Sequence, residues 1–119
     1  MMSSNMEVKI HQILTEYDIP FEEEYEFPDL MSSNGKHLRF DFACFDDEGN
    51  IDFLIEAQGK QHYQPVSKFG GARGLHRQQY NDNLKKQYCI KHNLRLICIP
   101  YFDEPKLSYD YIMRAAGYR

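Results

Sequence analysis

The sequence has no tryptophan and only three cysteines, Cys44, Cys89 and Cys98, without a Cys-x-x-Cys spacing. An odd number of cysteines without a regular spacing argues against a disulfide framework and is typical of reduced thiols in a cytosolic protein. The five histidines show no zinc-ligand spacing. The sequence around Cys89 does not indicate a nucleophilic thiol. These absences exclude a secreted disulfide scaffold, a zinc module and a cysteine hydrolase.

Long apolar runs are also absent, so the sequence predicts no membrane-spanning segment and no membrane partner. The first residues, MMSSNMEVKIHQ, have neither a basic start nor an apolar stretch, and we expect no signal peptide and a cytoplasmic location. The glycine-rich piece FGGARG lacks the GK[ST] of a phosphate loop, which excludes nucleotide hydrolysis of that kind.

Basic residues are scarce except in one segment. The formal charge is −4, yet residues 60–95 contain eight of the 14 Lys and Arg residues and one of the 18 acids, Asp82. This segment directly follows an acidic strand pair, which is the charge pattern expected for phosphate contact. The alternative interpretation is an ordinary solvated helix face.

The composition, with 42% hydrophobic and 27% charged residues, is typical of a folded protein. The length predicts a single domain spanning residues 1–119. Hydrophobic periodicity and turn residues predict an α/β chain with a mixed sheet, in the order α-β-β-β-α-β-α. The predicted elements are a helix over 5–17, a strand over 21–27, two strands on either side of a turn at 46–50, a helix over 75–92, a strand over 94–101 and a short helix reaching about 116. Loops are expected at 28–36 and 59–74, with Pro105 in the first turn of the last helix.

Two carboxylates interrupt the central strands, Asp41 within FDF and Glu56 within LIEAQ. Alternation places Phe40, Phe42 and Cys44 on one side of the first of these strands and Asp41 on the other. In the second strand, alternation separates the face with Phe53, Ile55 and Ala57 from the face with Asp52, Leu54, Glu56 and Gln58. A buried unpaired carboxylate is costly, and a divalent cation between Asp41 and Glu56 is the simplest compensation.

The phrases LRFDF (38–42), IEAQGKQHY (55–63), FGG (69–71), NDNLKKQYC (81–89) and LRLICIPY (94–101) resemble the PD-(D/E)XK nuclease superfamily over nearly the whole chain. Within that superfamily they are most similar to the small phage-type branch with homing and very-short-patch-repair endonucleases. The resemblance implies a restriction-endonuclease-like core that hydrolyses phosphodiester bonds with Mg²⁺, for which Mn²⁺ can substitute.

By the resemblance, Asp41, Glu56 and the backbone carbonyl of Ala57 hold the metal ion, and Glu7 completes the acidic site. The sequence departs from the family pattern at Gln58, where the motif has lysine. Three side chains are candidates for the missing role: Lys60, His62 and Lys85. Asp82 is a further candidate member of the site.

The catalytic candidates are therefore Asp41, Glu56, Gln58, His62, Glu7, Lys85 and Asp82. The residues expected to contact nucleic acid are Lys60, Gln61, Lys68, Arg73, Arg77 and Lys86. Such basic contacts position a DNA substrate without specifying its sequence.

Several candidates have simpler explanations. Asp41 can pair with Arg39 on its own strand. Glu7 can belong to a capping box with Ser4. Asp82 can pair with Lys85 and Lys86 on its helix. A histidine at a strand end, such as His62, is usually a surface residue.

The leading hypothesis is a metal-dependent DNA endonuclease encoded by a phage or mobile element, which nicks as a monomer or cuts both strands as a homodimer. The alternative is a nucleic-acid-binding module on the same fold that has lost catalysis, an interpretation that Gln58 keeps open. RNA or branched DNA as substrate is a third hypothesis.

Overall fold

Three α-helices and four strands build the protein, whose computed structural model describes residues 5–118. The α-helices and strands are α1 (Asn5–Glu16), β1 (Phe21–Met31), β2 (His37–Phe45), β3 (Ile51–Gln58), α2 (Gly71–Lys91), β4 (Leu96–Pro100) and α3 (Tyr109–Ala115). Short 3₁₀ helices occur at Lys60–His62, Ser67–Phe69 and Tyr101–Lys106. This order of helices and strands confirms the predicted α-β-β-β-α-β-α sequence. Within the described range, no helix is long and apolar enough to cross a bilayer.

The four strands form one mixed sheet in the order β1-β2-β3-β4. β1 and β2 are antiparallel, as are β2 and β3, whereas β3 and β4 are parallel and joined through α2. A parallel pair needs a long crossover, and the helix between the two strands supplies it. The predicted mixed α/β fold class is therefore confirmed.

Each face of the sheet has its own hydrophobic cluster. One face packs against α1 and α3 through Met6, Ile10, Leu14, Ile112 and Ala116, which meet Phe42, Cys44, Phe53, Ile55, Ile97 and Ile99. The other face packs against α2 and contains Leu30, Phe40, Ala43, Leu54 and Cys89. The result is a three-layer arrangement in which the sheet is covered on both sides.

Several predicted boundaries were wrong. β1 continues to Met31 through part of the predicted loop, and Pro28 is tolerated because β1 is an edge strand. α2 begins at Gly71, four residues earlier than predicted, after Gly70 with a φ of 92°. Pro105 lies in a 3₁₀ helix rather than in α3, whose N-cap is Ser108. The predicted cap Ser4 lies outside the described residues.

The alternation predicted for β3 is confirmed, but the prediction for Phe40 was wrong. Phe42 belongs to the cluster under α1, whereas Phe40 packs on the α2 side. The paired strand β1 changes sides at the same level, with Phe21 on the α1 side and Tyr25 on the α2 side. Glu24, which lies between them, has a φ of 53°, a value that breaks strand alternation. The β1–β2 ribbon therefore twists sharply at the level of Glu24 and Asp41.

Candidate functional site

The sheet divides at the level of Asp41. The pairing of β2 with β3 runs from Phe45–Ile51 to Phe42–Ile55. Beyond that point β2 stays paired with β1 through Phe40, while β3 stays paired with β4 as far as Gln58. At the division, a carboxylate oxygen of Asp41 accepts a hydrogen bond of 2.7 Å from the backbone N–H of Ala57. The side chain thus takes the place of a backbone acceptor, and the strands diverge around it.

Three carboxylates meet at this division. Glu7 at the start of α1, Glu24 on β1 and Asp41 on β2 each place one oxygen within 4.8 Å of the others, and all three side chains are partly buried. Glu24 belongs to the group because the β1–β2 ribbon twists at that residue. Carboxylate oxygens at this spacing are the donor set that a hard divalent cation such as Mg²⁺ prefers. The residues therefore fit the metal that the family resemblance implies.

The protonation of Asp41 reflects the crowding of acids. The pKa of the Asp41 carboxyl is raised to about 8, chiefly by burial and in addition by the adjacent carboxylate of Glu56, through repulsion and a shared hydrogen bond. The N–H of Ala57 and the ammonium of Lys85 act in the opposite direction. Without a cation, Asp41 therefore carries a proton at neutral pH. A bound cation would replace that proton.

Glu56 and Lys85 form a buried ion pair on the α2 side of the sheet. Glu56 is 5% exposed and Lys85 is 9% exposed, and the ammonium of Lys85 donates to a carboxylate oxygen of Glu56. The same ammonium lies 5.6 Å from the centre of the Phe40 ring. α2 thus delivers a cationic side chain next to the acids, although strand β3 has a glutamine at the motif position. A buried ion pair of this kind adds little net stability to a fold. Its burial next to other acids is more typical of a functional site.

Gln58, His62 and Asp82 lie along the same side of the sheet. The buried Gln58 side chain accepts a hydrogen bond of 2.6 Å from the hydroxyl of Tyr63. Nδ1 of His62 lies 2.8 Å from a carboxylate oxygen of Asp82, and Gln78 donates to the other oxygen at 3.1 Å. The side chains of His62 and Asp82 are only 9% and 14% exposed. His62 is therefore an oriented, largely buried ring and not an ordinary surface histidine.

The structure also decides between the simpler explanations. Arg39 contacts Glu26 at 2.7 Å and Glu24 at 3.8 Å, rather than serving Asp41 as its ion-pair partner. The contacts of Asp82 are with His62 and Gln78, and the partner of Lys85 is Glu56.

The predicted metal ligands are brought together only in part. Asp41 and Glu56 are adjacent, as expected, but the backbone contact of Ala57 to the site is made by its N–H. Glu24 was missed, because the alternation of FEEEYEF assigns it to the polar face of that strand with Glu22 and Glu26. A positive φ in a strand leaves no clear mark in a sequence, so no local signal would have identified it.

The predicted nucleic-acid contacts occupy four places. Gln61, Lys68 and Arg77 line a groove of about 560 Å³. Lys60 lies over the ring of Tyr101, and Lys86 lines a separate cavity with Gln58 and His62. Arg73 is exposed near the start of α2.

The groove adjoins the acidic site. Gln61 and Phe69 are shared between the groove and a second cavity of about 350 Å³, whose wall also includes Glu7 and Ala57. A basic groove therefore leads toward the carboxylates.

Comparison with known proteins identifies relatives in two viruses. The chain is 45% identical over 69 residues to uncharacterized protein 094L of Frog virus 3 (isolate Goorha), a match covering 56% of this chain and 42% of that protein. It is 30% identical over 88 residues to uncharacterized protein 307L of Invertebrate iridescent virus 6, covering 71% of this chain and 45% of the relative. The chain thus spans less than half the length of these curated relatives.

No model of a known protein family matches the chain, and no solved structure matches it. The nuclease resemblance and the phage or mobile-element origin therefore stay predictions.

Proposed function

We propose that the protein is a Mg²⁺-dependent DNA endonuclease of the PD-(D/E)XK type. The observation that carries the proposal is the division of the sheet at Asp41. There, three carboxylates meet within 4.8 Å, and the buried Glu56–Lys85 pair lies beside them. The strands separate beside Asp41 and Glu56, and α2 places the ammonium of Lys85 next to these acids. Such an arrangement is suited to phosphodiester hydrolysis.

Asp41, Glu7 and Glu24 would hold the cation, with Glu56 adjacent. When bound, the cation lowers the pKa of a coordinated water and neutralises charge on a phosphate oxygen. The N–H of Ala57 fixes the orientation of the Asp41 carboxylate through its 2.7 Å hydrogen bond.

The other side chains have distinct roles in this proposal. The ammonium of Lys85 contributes positive charge beside the phosphate, which is the role that the motif lysine has in the family. His62, whose Nδ1 is held by Asp82, accepts or donates a proton at its other ring nitrogen, Nε2. Lys68 and Arg77 hold the phosphates of the substrate in the groove.

The test is conversion of supercoiled plasmid to nicked and linear DNA in Mg²⁺, Mn²⁺ or EDTA. We expect metal-dependent cutting that disappears in Asp41→Ala and persists in Asp47→Ala, a matched change of an exposed aspartate in the turn between β2 and β3. Early accumulation of nicked circles would indicate cutting of one strand at a time. Equal cutting by wild type and Asp41→Ala would refute the proposal.

One observation favours a second candidate, a DNA-binding module without catalysis. The side chain at the motif position, Gln58, is engaged with the hydroxyl of Tyr63, and Glu56 is engaged with Lys85. DNA binding by wild-type protein that neither binds Mg²⁺ nor cuts would select this module over the nuclease.

A further inference from the structure

Three aromatic rings form an exposed cluster beside the candidate site. Tyr63 contacts Tyr101 and Phe102 with ring-centre distances of 5.9 and 6.0 Å, and Tyr101 contacts Phe102 at 5.4 Å. Phe102 is 61% exposed and Tyr63 is 45% exposed. We call Tyr63, Tyr101 and Phe102 the aromatic platform. Clustered exposed rings of this kind mark a binding surface more often than isolated ones do.

The platform is held in place by polar contacts below it. The hydroxyl of Tyr63 donates to the buried Gln58 at 2.6 Å. Tyr101 and Phe102 belong to the 3₁₀ helix Tyr101–Lys106, in which Asp103 accepts a hydrogen bond of 2.6 Å from Tyr111 of α3. Rings fixed in this way lose little conformational freedom when a flat ligand stacks on them.

One ring of the platform, Tyr101, reaches the cavity beside the acidic site. Tyr101 lines the same cavity as Glu7 and Ala57, which connects the rings to the carboxylates at the division of the sheet. Phe69, itself 48% exposed, lines this cavity and also the basic groove. A strand lying in the groove would therefore pass the platform close to the acids.

The charges around the platform favour a polyanion. The ammonium of Lys60 lies 6.0 Å from the centre of the Tyr101 ring, and that of Lys68 lies 5.7 Å from the Phe69 ring. Of the neighbouring acids, Glu104 is paired with Lys9 at 3.4 Å and Asp103 with Lys106 at 3.7 Å. Aromatic faces next to cationic groups are the combination that binds single-stranded nucleic acid, because bases stack on the rings while lysines contact phosphates.

We propose that the aromatic platform stacks unpaired bases, so that the substrate is DNA with unpaired nucleotides beside the scissile phosphate. Bases inside a duplex stack against one another, whereas an unpaired base can present its face to a protein ring. The inference rests on the proposed function for the position of the scissile phosphate.

The test measures fluorescence anisotropy of a labelled DNA single strand and of a duplex of the same sequence, in EDTA so that no cutting occurs. Phe102→Ala should weaken binding of the single strand about tenfold and leave duplex binding unchanged. Phe102→Trp, which keeps an aromatic face, should restore single-strand binding. The matched control is Tyr17→Ala, because Tyr17 is also exposed and stacked on another ring but lies at the far end of α1 from Glu7.

Three outcomes would overturn the inference: no binding of the single strand by wild type, equal weakening of both DNA forms, or conversion of a wild-type dimer to a monomer by Phe102→Ala in light scattering. The last outcome would make the platform a contact between copies of the chain. The proposed function fails separately, through equal plasmid cutting by wild type and Asp41→Ala.

Discussion

The helices α1 and α2 cover opposite faces of the same sheet with very different side chains. α1 buries Met6, Ile10 and Leu14, all of them apolar. α2 is nearly twice as long, with 21 residues against 12, yet its buried residues are Gly74, Lys85 and Cys89. The α1 side carries a continuous hydrocarbon core and contributes Glu7 to the candidate site, whereas the α2 side carries a smaller core together with Glu56, Lys85, His62 and Asp82.

This difference indicates that α1 contributes mainly to the stability of the fold and that α2 contributes mainly to the site. Burial of apolar area is the dominant favourable term in folding, and α1 supplies it. The buried Lys85 and Gly74 of α2 bury little apolar area. The buried Gly74 instead permits close approach, since a Cβ at this position would overlap the backbone carbonyl of Phe69.

Truncation on the α1 face should give the largest loss of stability. Leu14 is fully buried, so Leu14→Ala should lower the free energy of unfolding by about 3 to 5 kcal/mol. The control is Ile90→Ala on α2, where the side chain is 73% exposed and a change near zero is expected. Urea denaturation of the two variants measures both values. Similar losses in the two variants would contradict the assignment of the core to the α1 side.

Removal of the buried charge of Lys85 on α2 should lower the free energy of unfolding nearly as much. Lys85→Met leaves Glu56 buried without its partner and should cost about 3 kcal/mol. The exposed neighbour Lys86 provides the matched control Lys86→Met, with less than about 0.5 kcal/mol expected. The double variant Lys85→Met/Glu56→Gln should recover most of the loss, because no buried charge then remains. A double variant as unstable as Lys85→Met would show that the pair is not the cause.

The acidic site should make stability depend on pH. The folded pKa of Asp41 is about 8, above its unfolded value of 3.8, so its contribution is complete below the unfolded value and is lost as the pH rises through 8. Without metal, wild type should lose at least about 2 kcal/mol more than Asp41→Asn between pH 5 and pH 8.5. Urea denaturation at the two pH values measures this difference, and Mg²⁺ at the higher pH should reverse it. Equal losses in both proteins would contradict the prediction.

The smallest expected effect comes from the His62–Asp82 contact. Asp82→Asn keeps the shape of the side chain but removes its charge, and it should cost about 1.5 kcal/mol of stability. The exposed Asp47→Asn should be neutral in the same measurement. If Asp82 orients His62 for catalysis, Asp82→Asn should also slow plasmid cutting without weakening Mg²⁺ binding. If Asp82→Asn cuts plasmid as fast as wild type, the His62–Asp82 contact has a structural role only.

The sequence was most informative where side chains alternate regularly. The two faces of β3 were predicted from LIEAQ, since Leu54 and Glu56 point one way and Ile55 the other. Asp41 and Glu56 could be selected because a carboxylate within a buried strand is costly. Lys85 was a candidate, but its pairing with Glu56 across 29 positions depends on how α2 lies on the sheet.

The missed features all arise from tertiary geometry. The twist at Glu24 moves Phe40 to the α2 side of the sheet and brings Glu24 close to Glu7 and Asp41. Regular alternation would instead leave Phe40 on the same side as Phe42. The aromatic platform was also missed, because Tyr63 and Phe102 belong to two different irregular segments. Only the folded sheet brings these two residues together.

The most direct test of the metal site is calorimetric titration of the protein with Mg²⁺ at pH 7 in two buffers with different ionisation enthalpies. Because Asp41 has a pKa of about 8 without metal, cation binding should release close to one proton, and the release should fade above about pH 9. Asp41→Asn should bind weakly and release none, while Asp47→Asn should behave as wild type. Binding without proton release, or binding unchanged in Asp41→Asn, would contradict a cation at Asp41.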